Sequence, residues 1–219
     1  DVALGGSTAD VKAALAGTFA DDYTGDVTLD DDDTDDIQAT DITTIEGDTT
    51  GTITVSNNIN IQETAEAVAA AVDDVNTFSG TPTAELSTDH NLTQLKAINN
   101  KISGELTLNT GAYDIDLDGS AADVAAALDG SFAADYTGAV DLSNDHTIDQ
   151  LKTINNGTTG TITLHNVDVE LEGSTADVKA ALAGDFGEDY TGDVILDDDD
   201  NANIQAVSYT HLTLPTIAL

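Results

Sequence analysis

Two hydrophobic patterns alternate along the chain. In residues 51–55 and 160–164 every second residue is apolar, and strict alternation predicts a half-buried β-strand with one polar face. Elsewhere apolar residues recur three and four positions apart, as at Val11, Ala14 and Leu15, which predicts a short helix with one apolar stripe. The sequence therefore predicts short strands and short helices in succession.

Three nearly identical segments carry helix start signals. Residues 1–23, 114–136 and 168–190 each contain Gly-Ser-x-Ala-Asp-Val-x-Ala-Ala-Leu. A serine hydroxyl can accept a hydrogen bond from the first amide groups of a helix, and an acidic residue is favourable at the positive helix end. The predicted caps are Ser7, Ser120 and Ser174, with Asp10, Asp123 and Asp177 three residues on, and the predicted stops are Gly17, Gly130 and Gly184.

A second kind of segment alternates with the first. It reads LSTDHNLTQLKAINN from Leu86 and LSNDHTIDQLKTINN from Leu142, and we call its turns short halves and the serine-capped turns long halves. Asparagine tolerates the left-handed conformation in which helices end, so each Asn-Asn pair predicts a helix end. The predicted caps are Asn91 and Thr147, with Gln94 and Gln150 three residues on, and the predicted stops are residues 99–100 and 155–156.

A Thr-Gly or Ser-Gly dipeptide opens each strand and marks the period. Gly25 and Gly80 are one double unit apart, and so are Gly51 and Gly104. The period is about 55 residues, so about four double units fill residues 1–206. Fixed periodicity of this kind is typical of stacked repeats.

The predicted fold class is α/β: a repeat solenoid of strands and short helices, with a mostly parallel sheet and helices on one face. A helix of three turns does not persist alone in water, so each unit must bury its stripe against a neighbour. Long halves add a second strand at residues 115–117 or 169–171 after a turn too short for a helical crossover. That connection is a hairpin or a solenoid corner. A row of separate βα domains is the alternative to the solenoid.

Composition narrows the function classes. The net charge is -37, from 42 acidic residues against five basic ones, all lysine. Phosphate backbones require clustered cationic side chains, so a nucleic-acid partner is excluded. No apolar run approaches the length of a membrane span, so membrane insertion is not expected. The chain has no cysteine and hence no disulfide, and its self-repulsion favours a saline or calcium-rich medium.

The acidic runs are the candidate metal site. Calcium takes six to eight oxygen ligands, and the candidate residues are Asp30, Asp31, Asp32, Asp33, Asp197, Asp198, Asp199 and Asp200. The spacing is not that of an EF-hand, because the glycine at position six and the glutamate at position twelve are missing. The alternative interpretation, which we favour, is a solvated acidic loop. Calcium is the only cofactor that the sequence suggests.

The other conspicuous side chains favour structural roles. His90 and His146 occupy equivalent positions, and a helix-entry turn is a better interpretation than a metal pair. Aromatic residues recur in the long halves and are interpreted as packing residues: Phe19, Phe132 and Phe186, with Tyr23, Tyr136 and Tyr190 four residues on. No nucleophile with an adjacent base and no phosphate loop is recognisable. The sequence predicts no enzymatic activity and no catalytic residue.

The last residues do not follow the repeat. Residues 191–206 track residues 24–39 closely, but residues 207–219 begin VSYTHLTLPT and contain no acidic residue. This string resembles a translated sequencing-adapter read-through, so residues 207–219 are interpreted as a non-native tail. The alternative is a natural C-terminal cap with one strand.

The phrases LKAINN, TGTITL and GSTADVKAALAG resemble tandem repeats of very large surface or secreted proteins of marine bacteria, including picocyanobacteria, and of marine metagenomes. The resemblance covers residues 1–206. It implies an extracellular or cell-surface, adhesin-like or structural role, with neighbouring repeats and an unidentified surface or protein as partners. A calcium-stiffened surface repeat is the nearest alternative, and a ligand-binding or enzymatic module is a second one.

Overall fold

The computed structural model describes residues 2–19 and 23–198. The interpreted tail at residues 207–219, and the candidate ligands Asp199 and Asp200, lie outside the described residues. The described part of the chain is an α/β structure with seven α-helices, and all of its paired strands are parallel. The predicted class is therefore confirmed at the level of α/β with parallel sheets.

The helices and strands alternate in the following order. The helices are α1 Thr8–Leu15, α2 Ala39–Asp48, α3 Ala65–Asp74, α4 Leu92–Asn99, α5 Ala121–Leu128, α6 Ile148–Gly157 and α7 Thr175–Ala181. The strands are β1 Leu4–Gly6, β2 Val27–Leu29, β3 Asp36–Gln38, β4 Ile53–Val55, β5 Asn60–Glu63, β6 Thr77–Phe78, β7 Thr83–Leu86, β8 Glu105–Thr107, β9 Leu117–Gly119, β10 Ser131–Phe132, β11 Val140–Leu142, β12 Ile162–Thr163, β13 Leu171–Gly173 and β14 Val194–Leu196.

The chain divides into two compact units. The first comprises Asp1–Ala112 and Gly130–Ala134; it holds one sheet of order β1-β2-β4-β6 and another of order β10-β8-β7-β5-β3. The helices α1 to α4 pack one against the next. The second unit comprises Tyr113–Asp129 and the residues from Asp135 onward. It holds the sheets β12-β11-β9 and β13-β14, and α6 packs between α5 and α7.

Strand pairing joins successive passes of the chain. Leu4 pairs with Val27, which is 23 residues away, and Val27 pairs with Ile53, 26 residues away. Ala84 pairs with Leu106, a separation of 22 residues. Parallel neighbours need a connection of a dozen or more residues, and in most passes a short helix lies within that connection.

The question of hairpin or corner is resolved for the described residues. Strands β12 and β13 follow one another closely but belong to different sheets, and no antiparallel pair is present in the described part of the chain. Strands β4 and β5 are separated in the same way. The short connection is therefore a corner at which the chain passes from one sheet to another.

The core is aliphatic, as the low aromatic content predicts. Inward-facing strand residues such as Val27, Leu29 and Ile53 are almost completely buried, as are helix residues such as Ile45 and Leu95. Burying one such side chain stabilises the fold by roughly 1.5–3 kcal/mol relative to leaving it exposed. Each strand and each helix contributes only two or three of these residues, so stability depends on stacking.

The predicted helix starts are confirmed. The hydroxyl groups of Ser7, Ser120 and Ser174 accept from the amides of Asp10, Asp123 and Asp177. Asn91 and Thr147 form complete capping boxes with Gln94 and Gln150. The predicted stop at Asn99 is confirmed, because α4 ends there.

The predicted stop at residues 155–156 is wrong, because α6 continues to Gly157. Asn155 stays helical and uses its side-chain amide to donate to the carbonyl of Ala180 in α7, at 3.2 Å. Gly157 lies against Leu128 of α5, where a Cβ atom would come within 2.6 Å of the leucine Cβ. Contacts with the neighbouring helices therefore override the local stop signal.

Candidate functional site

The acidic turn that follows β2 contains four of the candidate calcium ligands. Asp30, Asp32 and Asp33 are exposed, whereas Asp31 is only 6% exposed. A buried carboxylate requires hydrogen-bond donors, because desolvation of an unpaired charge is costly. The environment of Asp31 therefore decides what this turn does.

Asp31 holds the first turn of α1. Its two carboxylate oxygens accept from the amide of Thr8 at 2.9 and 3.0 Å, and one of them also accepts from the Thr8 hydroxyl at 2.6 Å. The first four amides of a helix have no partner within the helix. Ser7 satisfies the amide of Asp10, and Asp31, from the next pass of the chain, satisfies that of Thr8.

The rest of the turn is fixed by its own backbone and by the following pass. The Asp33 carboxylate accepts from the amide of Asn58 at 2.9 Å, and the amide of Asp35 donates to the carbonyl of Asp32 at 3.0 Å. Thr34 has φ 71° and is the only non-glycine residue with positive φ in the described part of the chain. A β-branched residue is strained in that conformation.

The second acidic run repeats the arrangement. Asp198 accepts from the amide of Thr175 at 2.9 Å and from the Thr175 hydroxyl, as Asp31 does from Thr8. Asp197 is exposed. The described candidate ligands of this run therefore include one carboxylate that caps the preceding helix, α7.

The same contact occurs in three further turns with other chemistry. The first helical amide accepts its partner from the residue 23 positions later in every case. Glu63 serves Thr40 at 3.0 Å, the hydroxyl of Thr88 serves Ala65 at 3.1 Å, and Asn144 serves Ala121 at 2.8 Å. These acceptors are a carboxylate, a hydroxyl and an amide oxygen, so the shared requirement is an acceptor and not an acid. We call this contact the cross-turn cap.

A metal centre is not evident among residues 2–19 and 23–198, where no group of three or more His, Asp or Glu side chains could hold a metal ion. The nearest approach to such a group is an open cavity of ≈ 370 Å³ at the start of α1. Asp31, Asp35, Asp36 and Asp41 contribute to its lining. Calcium binding by the acidic runs stays a prediction.

Tyrosines of the long halves clamp successive passes together. The hydroxyl of Tyr136 donates to the carbonyl of Ile115 at 2.6 Å, and that of Tyr190 donates to the carbonyl of Val169. Tyr136 and Tyr190 are 2% and 0% exposed, so their interpretation as packing residues is confirmed. Burial raises the pKa of both phenols, which keeps them protonated as donors.

Glycine is required two residues after each tyrosine. A Cβ atom on Gly138 would collide with the carbonyl oxygen of Ile115 and approach the Tyr136 ring to 2.8 Å. A Cβ atom on Gly192 would meet the carbonyl of Val169 in the same way. The Tyr-Thr-Gly sequence therefore marks the places where two passes of backbone come closest.

The two equivalent histidines are buried where the chain enters a helix. His90 and His146 are 6% and 4% exposed and directly precede the caps of α4 and α6. Burial lowers the pKa of both imidazoles, and the adjacent aspartates oppose this more weakly. His146 contacts Tyr190 edge-on, with ring centroids 5.9 Å apart and Nε2 3.4 Å from the phenol oxygen. The location at the helix entry agrees with the prediction.

Lysines connect adjacent helices. Lys12 of α1 pairs with Asp41 of α2, and Lys152 of α6 pairs with Asp177 of α7. The hydrogen bond from Lys152 lowers the pKa of Asp177, and the same bond raises the pKa of Lys152. Such exposed pairs contribute roughly 0–1 kcal/mol each. They influence which neighbour fits more than they add to overall stability.

No helix in the described part of the chain has both the length and the apolar character needed to cross a bilayer. No protein-family model matches the sequence, and neither a curated protein nor a solved structure is significantly similar to it.

Proposed function

We propose that this chain is a structural or adhesive repeat module of a large extracellular or cell-surface protein. Its turns would stack as an α/β solenoid, with a mostly parallel sheet, helices on one face, and neighbouring repeats as its immediate partners. The surface or protein that such a module contacts is not identified by any side-chain arrangement in the described residues.

The cross-turn cap carries this proposal. The described helices have seven to ten residues, and helices of that length are not stable alone in water. Five of the seven receive an acceptor for their first amide from a residue 23 positions later. A turn that is completed by the next turn is suited to an array of repeats, in which stability comes from neighbours.

Charge and composition support a location outside the cell. A net charge of -37 is better tolerated where salt screens it, since the Debye length is about 3 Å at 1 M salt. The absence of cysteine means that stacking, and not disulfide formation, must supply stability. The resemblance to marine surface repeats points the same way.

Calcium stiffening is the second candidate function, and ligand binding or catalysis is the third. Asp31 and Asp198 are occupied with helix amides and Asp33 with the amide of Asn58, so these carboxylates have roles that require no cation. The structural role is therefore the one that the contacts support best.

An in-register deletion tests the repeat role. Removing residues 114–167 joins Tyr113 to Asp168, so that one long half replaces its near copy. We expect the shortened chain to unfold in a cooperative urea transition, with the helical circular dichroism reduced by two helices of the seven.

The matched control removes residues 114–153, which starts at the same residue but stops outside the repeat register. It should abolish the cooperative transition of everything that follows the junction. If both deletions preserve folding, or if both abolish it, repeat register does not govern the fold and the proposal is wrong.

A further inference from the structure

Two helices with one sequence have different surroundings. Residues 7–17 and 174–184 both read STADVKAALAG, and they form α1 and α7 with the glycine that follows each. α6 packs against α7, whereas the described helix that packs against α1 is α2, which follows it in the chain. The contacts of α7 therefore show what the corresponding face of α1 can bind.

α6 contacts α7 through two polar side chains. Lys152 pairs with Asp177, and the Asn155 amide donates to the carbonyls of Ala180 and Ala181. Gly184 leaves room for the asparagine, because a Cβ atom there would collide with the Asn155 side-chain oxygen. Charge, hydrogen bonding and shape are all matched at this contact.

The equivalent residues of α1 are uncovered. Asp10, Ala13, Ala14 and Gly17 are exposed, whereas Asp177, Ala180 and Gly184 are half-buried and Ala181 is buried. The difference extends beyond the helix to the aromatic residue. Phe19 is 50% exposed, but its counterpart Phe186 is 6% exposed and bridges to Ile162.

We propose that the face of α1 formed by Asp10, Ala13, Ala14, Gly17 and Phe19 is a docking surface for a short half of this repeat. This inference rests on the proposed repeat function and names the partner of its first helix. The occupant carries a lysine for Asp10 and, three residues later, an asparagine for the carbonyls of Ala13 and Ala14. We call this surface the α1 face.

Short halves have the required residues and long halves do not. Lys152 is followed three residues later by Asn155, and Lys96 in the other short half by Asn99. Asn99 lies against Gly130 as Asn155 lies against Gly184. In the long halves the residue three positions after Lys12 is Leu15, which cannot donate to a carbonyl. The lysine also complements a strongly acidic surface.

A graft tests the proposal. Residues 138–167, which directly precede Asp168 and contain α6, are placed directly before Asp1, so that α1 receives the sequence context of α7. Hydrogen exchange by mass spectrometry follows the peptide from residues 1–23, whose mass differs from that of residues 168–190. We expect exchange in α1 to slow by about tenfold, the change that one or two added hydrogen bonds produce.

The matched control carries Lys152→Ala and Asn155→Ala in the grafted copy only, and we expect it to restore the original exchange rate. If α1 exchanges equally fast with both grafts, the α1 face does not bind this partner. Ala14→Glu provides a second test, because it should destabilise the grafted chain but not the original one. Equal effects in both chains would overturn the docking proposal, while the in-register deletion would still decide the repeat function.

Discussion

Asp31→Ala removes the cross-turn cap of α1 without touching α1 itself. Three hydrogen bonds link Asp31 to Thr8, at 2.6, 2.9 and 3.0 Å, and both residues are buried. Loss of a helix cap costs about 0.5–2 kcal/mol, and a buried donor left without a partner costs about 1–3 kcal/mol. We expect the free energy of unfolding to fall by about 2–4 kcal/mol, within those two ranges.

Urea unfolding at fixed ionic strength, followed by circular dichroism, measures this change as a lower midpoint at constant slope. Asp30→Asn is the matched control, because Asp30 is exposed and one residue away. It should change stability by less than about 0.5 kcal/mol, or raise it slightly by reducing the self-repulsion of a chain with net charge -37. If Asp31→Ala also leaves stability unchanged or raises it, the carboxylate is not a structural cap and the reasoning is wrong.

Four further predictions concern other positions. Gly138→Ala should destabilise by about 1–3 kcal/mol because its Cβ would meet the Ile115 carbonyl, whereas Gly47→Ala, a helical site with open space, should stabilise by up to about 1 kcal/mol; urea unfolding compares them. Thr34→Asn should raise the urea midpoint, since asparagine adopts positive φ at lower cost, and an unchanged midpoint would argue against that backbone conformation. Burial lowers the pKa of His146 below 6.5, so stability should be complete above about pH 6.5 and fall as the pH drops toward the lowered value; His146→Gln should flatten this slope in thermal unfolding, while His165→Gln, at an exposed site, should not. Calcium and magnesium at equal ionic strength should raise the melting temperature equally, because Asp31, Asp33 and Asp198 are engaged by amides; a calcium-selective rise that chelator reverses would instead support the calcium alternative.

Local features of the fold were predictable from the sequence. Each serine, asparagine or threonine cap lies three residues from its partner, and the alternation of apolar residues marks the strands on its own. The Asp10 and Ser7 pairing in α1 could therefore be predicted without knowledge of any distant contact.

The cross-turn cap was not predicted, because its partners are 23 residues apart and the acceptor differs from turn to turn. One signal was available: Thr8 and Asp31 recur at the same separation as Thr175 and Asp198. The acidic runs suggested a metal because four adjacent carboxylates resemble a ligand set. Only the structure separates buried Asp31 from exposed Asp30 and Asp32.

The packing role predicted for the aromatic residues holds where a preceding pass covers them and fails where none does. Phe186 is buried against Ile162, but Phe19 is half exposed. Asn155 was predicted to end a helix from its own conformational preference, whereas it remains helical and binds the next helix. In both cases the neighbouring turn, and not the local sequence, decides the outcome.

Amide hydrogen exchange measured by NMR at the first helical residue of each turn tests the central claim most directly. The cross-turn cap predicts slow exchange at these five amides, while the amide of the next residue, for which the helix itself supplies no acceptor, should exchange rapidly. The five are Thr8, Thr40, Ala65, Ala121 and Thr175. Equally fast exchange at both positions would mean that successive turns do not complete one another's helices, which would contradict the account.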